Sequence, residues 1–444
     1  MFKIGVYQKE ITPPLGSDIP GYFEHRYSDG ILDRLYVRAV AIEAAGEVAI
    51  VISADAINIH QSMHDIAVAQ IEKFTGVSSD RVLINATHAH TGGPVGKDDP
   101  DPEYFDNDVE YENVVSKLIG DCGVMAYRSM VPAEIKIAET EVKTVSFIRN
   151  YYMKDGSIRT NPGFLNPEID RPYGKIDYTF NAMFFYGEGE KPFGAITCFS
   201  DHCDCVHGTK YSGDYVGVCE AELKKEYGND FVMVYMNAPC GNINCFDVNK
   251  SLEENLKPDR HIEIGKILAQ TAIKIEKTAK PMTNEVINGK KEFIPIDRRK
   301  LPEEEIKELK KLVEDVSLEG LSFNLNTPES PAYKRALAER LLVFSELPDK
   351  LLCSVQALKI GDCMLFAMCG ECYADFAIGI KEKSPASFNM VASLANGGPY
   401  GYIPIPELFE YPIYEVQVPT SKLIPQAGWI MVDRMAELAE EISK

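Results

Sequence analysis

Tryptophan occurs once and histidine only eight times in the 444 residues, so any role for imidazole has few candidates. No apolar run is long enough to span a bilayer. The most apolar early segment, "AVAIEAAGEVAIVISADAINI", is broken by Glu43, Glu47 and Asp55. Positive charge is also short, with 46 Lys and Arg against 67 Asp and Glu and a net charge of −21. A nucleic-acid backbone or an anionic lipid surface demands the opposite balance, so neither is expected as the main partner, and no stable membrane association is expected. The N-terminal "MFKIGVYQKEITPPLG" lacks the basic, apolar and cleavage regions of a signal peptide. Eleven cysteines, an odd number, are then expected as reduced thiols of a cytoplasmic protein. G-x-S-x-G is absent, which counts against a common serine hydrolase. Neither G-x-x-x-x-G-K-[ST] nor a G-x-G-x-x-G opening a helix is present, and no repeat or low-complexity tract is visible.

What is present is an ordinary globular composition, 45% hydrophobic and 25% charged. "YVRAVAIEA" and "EVAIVISAD" are β-rich runs separated by Ala-Gly and predict a hairpin. "SMHDIAVAQIEKFTG" has helical spacing and ends on Gly76 as a C-cap, and "RVLINATHAH" is the next strand. "YENVVSKLIGDCGVMAYRS" is a helix, whereas "RNYYMKDGSIRTNPGFLNPEIDRPYGK" reads as a long functional loop. Strands at "NAMFFYG", "FGAITCFS", "FVMVYMNA", "CSVQALKIG" and "CMLFAMCG" alternate with helices, and "GWIMVDRMAELAEEIS" is a closing amphipathic helix. The expectation is an α/β fold, a mixed β-sheet core flanked by helices. Residues 1–444 form one domain in this reading, with a charged helical excursion at about 302–346.

Two of the eight histidines, His88 and His90, end the strand "VLINATHAH" before a Thr-Gly-Gly-Pro turn. Residues two apart on a strand share a face, and neutral imidazole is the commonest metal ligand. The spacing alone does not separate a metal site from two satisfied imidazoles. Further candidates follow other apolar runs: His202 after "FGAITCFS", Glu371 after "LFAMCG", and Tyr400 and Tyr402 in "NGGPYGYIPIPE". Rival readings exist for the cysteines. Cys369 and Cys372 in "CGEC" resemble a redox dithiol, and Cys203 and Cys205 flank His202 as potential zinc thiolates. A His-x-His strand end also opens TIM-barrel amidohydrolases, which need more downstream histidine than His202, His207 and His261 provide.

Taken together, "KEITPPLG", "GILDRLYVRAVAIE", "VISADAINI", "NATHAHTGGPV" and "GYIPIPE" resemble the catalytic domain of the neutral/alkaline non-lysosomal ceramidases, in order over nearly the whole chain. The resemblance implies a zinc held by His88, His202, Glu371 and Tyr402, with Tyr400 an alternative to Tyr402. His90 would be a catalytic partner, Asp214 in "YSGDYVG" a further catalytic candidate, and Arg149 in "SFIRN" a substrate contact. In the central loop Asn161 joins Arg149 as a substrate contact, with Tyr400 a third such candidate, while Arg159 and Arg171 serve either substrate or surface ion pairs. The chain departs from the family's Gly-Asp-Val-Ser segment at "CGNINCF", with Asn242 for Asp and Asn244 for Ser, so Asn244 takes the catalytic position there. No segment resembling the family's C-terminal immunoglobulin-like domain follows Tyr402. The expected function is zinc-dependent hydrolysis of an amide, or an ester or lactone, in a soluble small molecule. Ceramide hydrolysis and a non-catalytic metal- or ligand-binding descendant are the alternatives, and self-association into a homo-oligomer is left open.

Overall fold

The computed structural model describes residues 1–22, 26–96, 109–316, 330–399 and 401–444. Tyr400, and most of the stretch between the two helices of the 302–346 excursion, lie outside the described residues.

Strands β1 (Phe2–Glu10), β2 (Tyr36–Ala44), β3 (Glu47–Ala54), β4 (Val82–Ala86), β5 (Val131–Glu141), β6 (Thr179–Tyr186), β7 (Gly194–Phe199) and β8 (Val232–Asn237) build a large sheet. Their order is β8-β7-β6-β5-β1-β2-β3-β4, with Lys280–Pro281 added beside β5. The inner pairs are antiparallel, and the outermost pairs, β3 with β4 and β7 with β8, are parallel. A second sheet runs β9 (Ile287–Asp297), β10 (Lys350–Ile360), β11 (Cys363–Met368) and β12 (Phe388–Ala392), with β11 and β12 parallel.

The β2–β3 hairpin follows the sequence expectation. Ala45 and Gly46 take φ of 52° and 87°, the left-handed pair that a two-residue turn matching strand twist requires. Parallel pairs need crossovers, and helices supply them: α1 (Gln61–Thr75) between β3 and β4, and α3 (Asp214–Tyr227) between β7 and β8. Gly76 caps α1 in the left-handed region at φ 73°, as its sequence predicted.

The core divides into layers. α1 and α2 (Val109–Arg128) cover one half of the large sheet, and α3 and α4 (Arg260–Glu276) cover the other. The opposite face of that sheet packs on the second sheet through Ile4, Val40, Ile196, Leu358 and Leu365. α7 (Ala374–Lys383) and α8 (Ala427–Ser443) close the outside of the second sheet. The result is an α/β/β/α stack. A strand with both faces covered should read as an unbroken apolar run, which explains "VAIVISA" in β3 without alternation. Arg38, fully buried within β2, is held by Asp55 at 2.8 Å and Glu220 of α3 at 2.7 Å.

One expectation is revised. The long loop after Arg149 is a three-stranded sheet of Asn150–Met153, Ile158–Thr160 and Ile169–Pro172. Its strands are too short and too rich in turn residues for periodicity to show. The excursion near 302–346 is helical as expected, with α5 (Glu303–Asp315) packed on α6 (Pro331–Glu346). After Tyr402 the chain forms short 3-10 turns and α8. No helix among the described residues is long and apolar enough to cross a membrane.

Candidate metal centre

The ends of β4, β7 and β11 meet where the two sheets are spliced. Ser393 N, following β12, donates to Asn237 O at the end of β8 at 2.9 Å, and Asn85 Nδ2 of β4 donates to Tyr235 O at 3.1 Å. Carboxyl ends of parallel strands point their following loops to one side, so His88, His90, His202 and Glu371 converge from both sheets.

The reason for convergence at the His pair differs from the expected one. β4 ends at Ala86, and His88 takes φ 66°, a left-handed conformation unusual for a non-glycine residue. Thr87 N and Ala89 N donate to Ala54 O at 2.9 Å and Ala56 O at 3.1 Å, which fixes the turn from both sides. A turn, not strand pleat, therefore brings the two rings together.

Their Nε2 atoms form a triangle with that of His202: 3.2 Å from His88 to His202, 3.3 Å from His90 to His88, and 3.1 Å from His90 to His202. All three rings are buried. His88 Nδ1 donates to the Ile57 carbonyl at 2.8 Å, which turns Nε2 toward the triangle. Burial, followed by the neighbouring imidazoles, holds His90 and His202 well below the usual histidine range, so both are neutral. With the Nε2 lone pairs of His88 and His202 turned to the same point, the two nitrogens would repel unless a cation lay between them, and His90 Nε2 stands beside that point. A tetrahedral ion with metal–nitrogen bonds of roughly 2.0–2.1 Å separates its ligands by about 3.3–3.4 Å, close to the spacing found.

Glu371 Oε2 stands 3.5 Å from His88 Nε2, is buried, and has no hydrogen-bond partner. Burial opposes its ionisation and the Arg149 guanidinium favours it. An orphaned carboxylate oxygen beside three imidazole nitrogens fits a divalent cation. Gly370 sets its position: φ is 72°, and a Cβ there would lie 2.9 Å from the Gly401 carbonyl oxygen.

Tyr402 pairs with Glu371 in a parallel bridge, which brings it to the same end of the fold. Burial pushes its phenol well above the ordinary value, with Arg149 opposing, so the neutral phenol is a donor; as a metal ligand it would need the cation's charge to ionise. The Arg149 guanidinium lies 4.8 Å from the Tyr402 ring centroid.

Other sequence candidates stand apart from the triangle. Asp214, also left-handed at φ 54°, spends its carboxylate on the amides of Cys205 at 2.7 Å, Val206 at 2.8 Å and Tyr215 at 2.6 Å. It thereby braces the loop that follows His202. Asn244 Nδ2 donates to Asn161 Oδ1 at 2.5 Å, tying the 243–244 strand to the small sheet. Asn242 accepts from Ala374 N at 2.9 Å and donates to Lys175 O at 3.0 Å. Arg159 and Arg171 pair with Asp155 and Asp170 at the surface. The cysteines are free and buried, and the metal-type cluster found among the described residues is the histidine triangle.

Sequence reasoning missed the wall beside His90. Arg26 Nη2 donates to the His90 carbonyl at 2.6 Å and lies over the Tyr22 ring, and Asp204 Oδ1 is 3.9 Å from His90 Nδ1. Asp204 sits in "DHCDC", two residues after His202, but carries no spacing that marks it; Tyr22 and Arg26 are more than 60 residues from the His pair.

Residues 2–249, which contain all three histidines, match the family model described as neutral/alkaline non-lysosomal ceramidase, N-terminal. The chain belongs to this family. Among solved structures it is similar to neutral ceramidase from Pseudomonas aeruginosa, with a TM-score of 0.74 and 19% identity over 99% of this chain and 74% of that one. A structure described as ceramidase complexed with C2 gives 0.71 and 18%, again over 99% and 74%. At such identities these likenesses establish the fold. A search of curated proteins gave no match. Within the ceramidase family match lie His88, His90, His202, Arg149, Asp214 and Asn244, while Glu371 and Tyr402 fall beyond residue 249.

Proposed function

We propose that this ceramidase-family chain is a zinc-dependent hydrolase that cleaves an amide bond of a soluble small molecule. The observation that carries the reading is the triangle of buried Nε2 atoms with the orphaned Glu371 oxygen beside it. In this reading His88, His202 and Glu371 would hold the ion, with Tyr402 as a fourth ligand once ionised. When bound, zinc supplies Lewis acidity, lowering a water's pKa toward ~7 and polarising a carbonyl. His90, neutral and buried, takes a proton from the attacking water and returns it to the leaving nitrogen. In the alternative in which Tyr402 keeps its proton and stays off the ion, its hydroxyl would donate to the carbonyl oxygen as it gains charge, and esters and lactones share that requirement. Eleven buried thiols support a reducing, cytoplasmic setting.

Family membership favours a second reading, ceramide itself as substrate. The test is elemental analysis of the purified protein beside its His88→Ala and Glu371→Ala variants, followed by a panel of N-acyl amides, esters, lactones and detergent-dispersed ceramide. About one zinc per chain in the wild type, lost in both folded variants, is the expected result. Absence of metal with none taken up on zinc addition would sink the mechanism. Metal without turnover on the panel would point to a binding protein.

A further inference from the structure

Glu415 is fully buried, far along the chain from the histidines, and belongs to no motif. It nevertheless joins three separate segments. Oε1 accepts from Arg149 Nε at 2.7 Å and Asn150 Nδ2 at 3.2 Å, while Oε2 accepts from Thr160 Oγ1 at 2.5 Å. Asn150 in turn accepts at Oδ1 from the Tyr373 hydroxyl at 3.1 Å. The neighbouring Tyr414 packs edge-on against Tyr402, 5.5 Å between ring centroids.

The bonding of Arg149 is lopsided. A carboxylate usually engages guanidinium through two parallel N–H groups. Here Glu415 takes Nε alone, and neither Nη1 nor Nη2 has a protein partner among the described residues. Neither is sealed away from solvent, although the residue is about nine-tenths buried or more. A buried guanidinium with its outer edge unused, stacked beside Tyr402, is a preformed receiver for an oxygen atom.

We propose that Glu415 is a positioning residue that holds Arg149 with its free Nη edge ready for a carboxylate or carbonyl oxygen of the ligand. This deepens, and for its meaning in catalysis rests on, the hydrolase reading. A hydrolysed amide leaves a carboxylate, whose two oxygens match the two Nη donors. Because Glu415 also holds Thr160, it couples that subsite to the small sheet that replaces the expected loop.

The probes are acetate and octanoate, carboxylates of the class an amidase releases. They are titrated by calorimetry into the purified full chain, with metal content measured on each sample. Wild type is compared with Arg149→Lys, Glu415→Gln and the double variant. Arg149→Lys should weaken binding about tenfold and Glu415→Gln several-fold, and the double variant should bind no worse than Arg149→Lys alone. A purely structural Glu415 would give additive losses. Wild type that binds neither carboxylate, unchanged binding in Glu415→Gln, or additive losses would each overturn the proposal. If Glu415→Gln fails to fold, nitrogen-15 arginine labelling of the wild type decides: octanoate must shift the Arg149 Nη signals, assigned by their loss in Arg149→Lys, and unshifted signals refute it. Carboxylate binding that depends on both residues in a protein without metal would leave this proposal standing while the hydrolase reading fails. Metal with Glu415-independent binding would do the reverse.

Discussion

Replacing Asn242 by Asp would restore the family-like carboxylate, and the structure says that it should destabilise this protein in a pH-dependent way. Asn242 is fully buried and uses both ends of its amide, accepting from Ala374 N at 2.9 Å and donating to Lys175 O at 3.0 Å. An ionised Asp keeps the first bond but turns an oxygen toward the Lys175 carbonyl, leaving two acceptors face to face. Burial and that repulsion raise the carboxyl pKa. A rise of about two units above the reference near 3.9 corresponds to roughly 2.7 kcal/mol. The start of α7 at Ala374 favours negative charge by ~0.3–1 kcal/mol, so a net cost of about 2 kcal/mol is expected near pH 7.5. The folded pKa is the higher one, so the folded state binds more protons between the two values. The cost is therefore absent below about pH 4, where a protonated Asp can donate to Lys175 O, and grows as pH rises to the folded pKa. Urea unfolding of both proteins from pH 4.5 to 8 measures this difference directly. A cost that does not change with pH, or none at pH 7.5, would refute the reasoning that position 242 requires a donor.

Two other perturbations can be sized. Lys291 donates to His64 Nε2 at 2.7 Å, and burial lowers its pKa to about 8 against the partial opposition of Asp80 and Asp65. The unfolded chain, titrating near ~10.4, then binds more protons between those values, so wild-type stability should rise by up to about 3 kcal/mol from pH 8 toward 10.4. Lys291→Met should flatten that rise in urea midpoints, and an unchanged slope would refute the assignment. Gly370→Ala forces a Cβ to 2.9 Å from Gly401 O at φ 72°; a loss of roughly 1–3 kcal/mol and of bound metal is expected, checked by thermal melting and elemental analysis. Full metal content in a folded Gly370→Ala protein would show that Glu371 does not depend on that turn.

Local order was legible because it is written locally. The β2–β3 hairpin, α1 with its Gly76 cap and the apolar strands β6, β7, β8 and β11 follow from period, turn residues and β-branched runs. His88 and His90 were visible as a pair because their proximity survives any strand or turn geometry. His202 and Glu371 could be nominated because each follows a strand, and the family resemblance tied them to the pair.

Tertiary structure decided the rest. Nothing in the period of "RNYYMKDGSIRTNPG" announces a three-stranded sheet, because strands of three or four residues give too few alternations to count. Distance in sequence likewise hides Glu415 from Arg149, 266 positions away, and Arg26 from His90. The sequence by itself determined which side chains could carry metal chemistry, since residue type fixes lone pairs and charge. Only the packing of two sheets decided that three imidazole nitrogens share a triangle just over 3 Å on a side. That spacing depends on a left-handed turn at His88 and on bonds between strand ends far apart in the chain, and neither is encoded in any short stretch of residues.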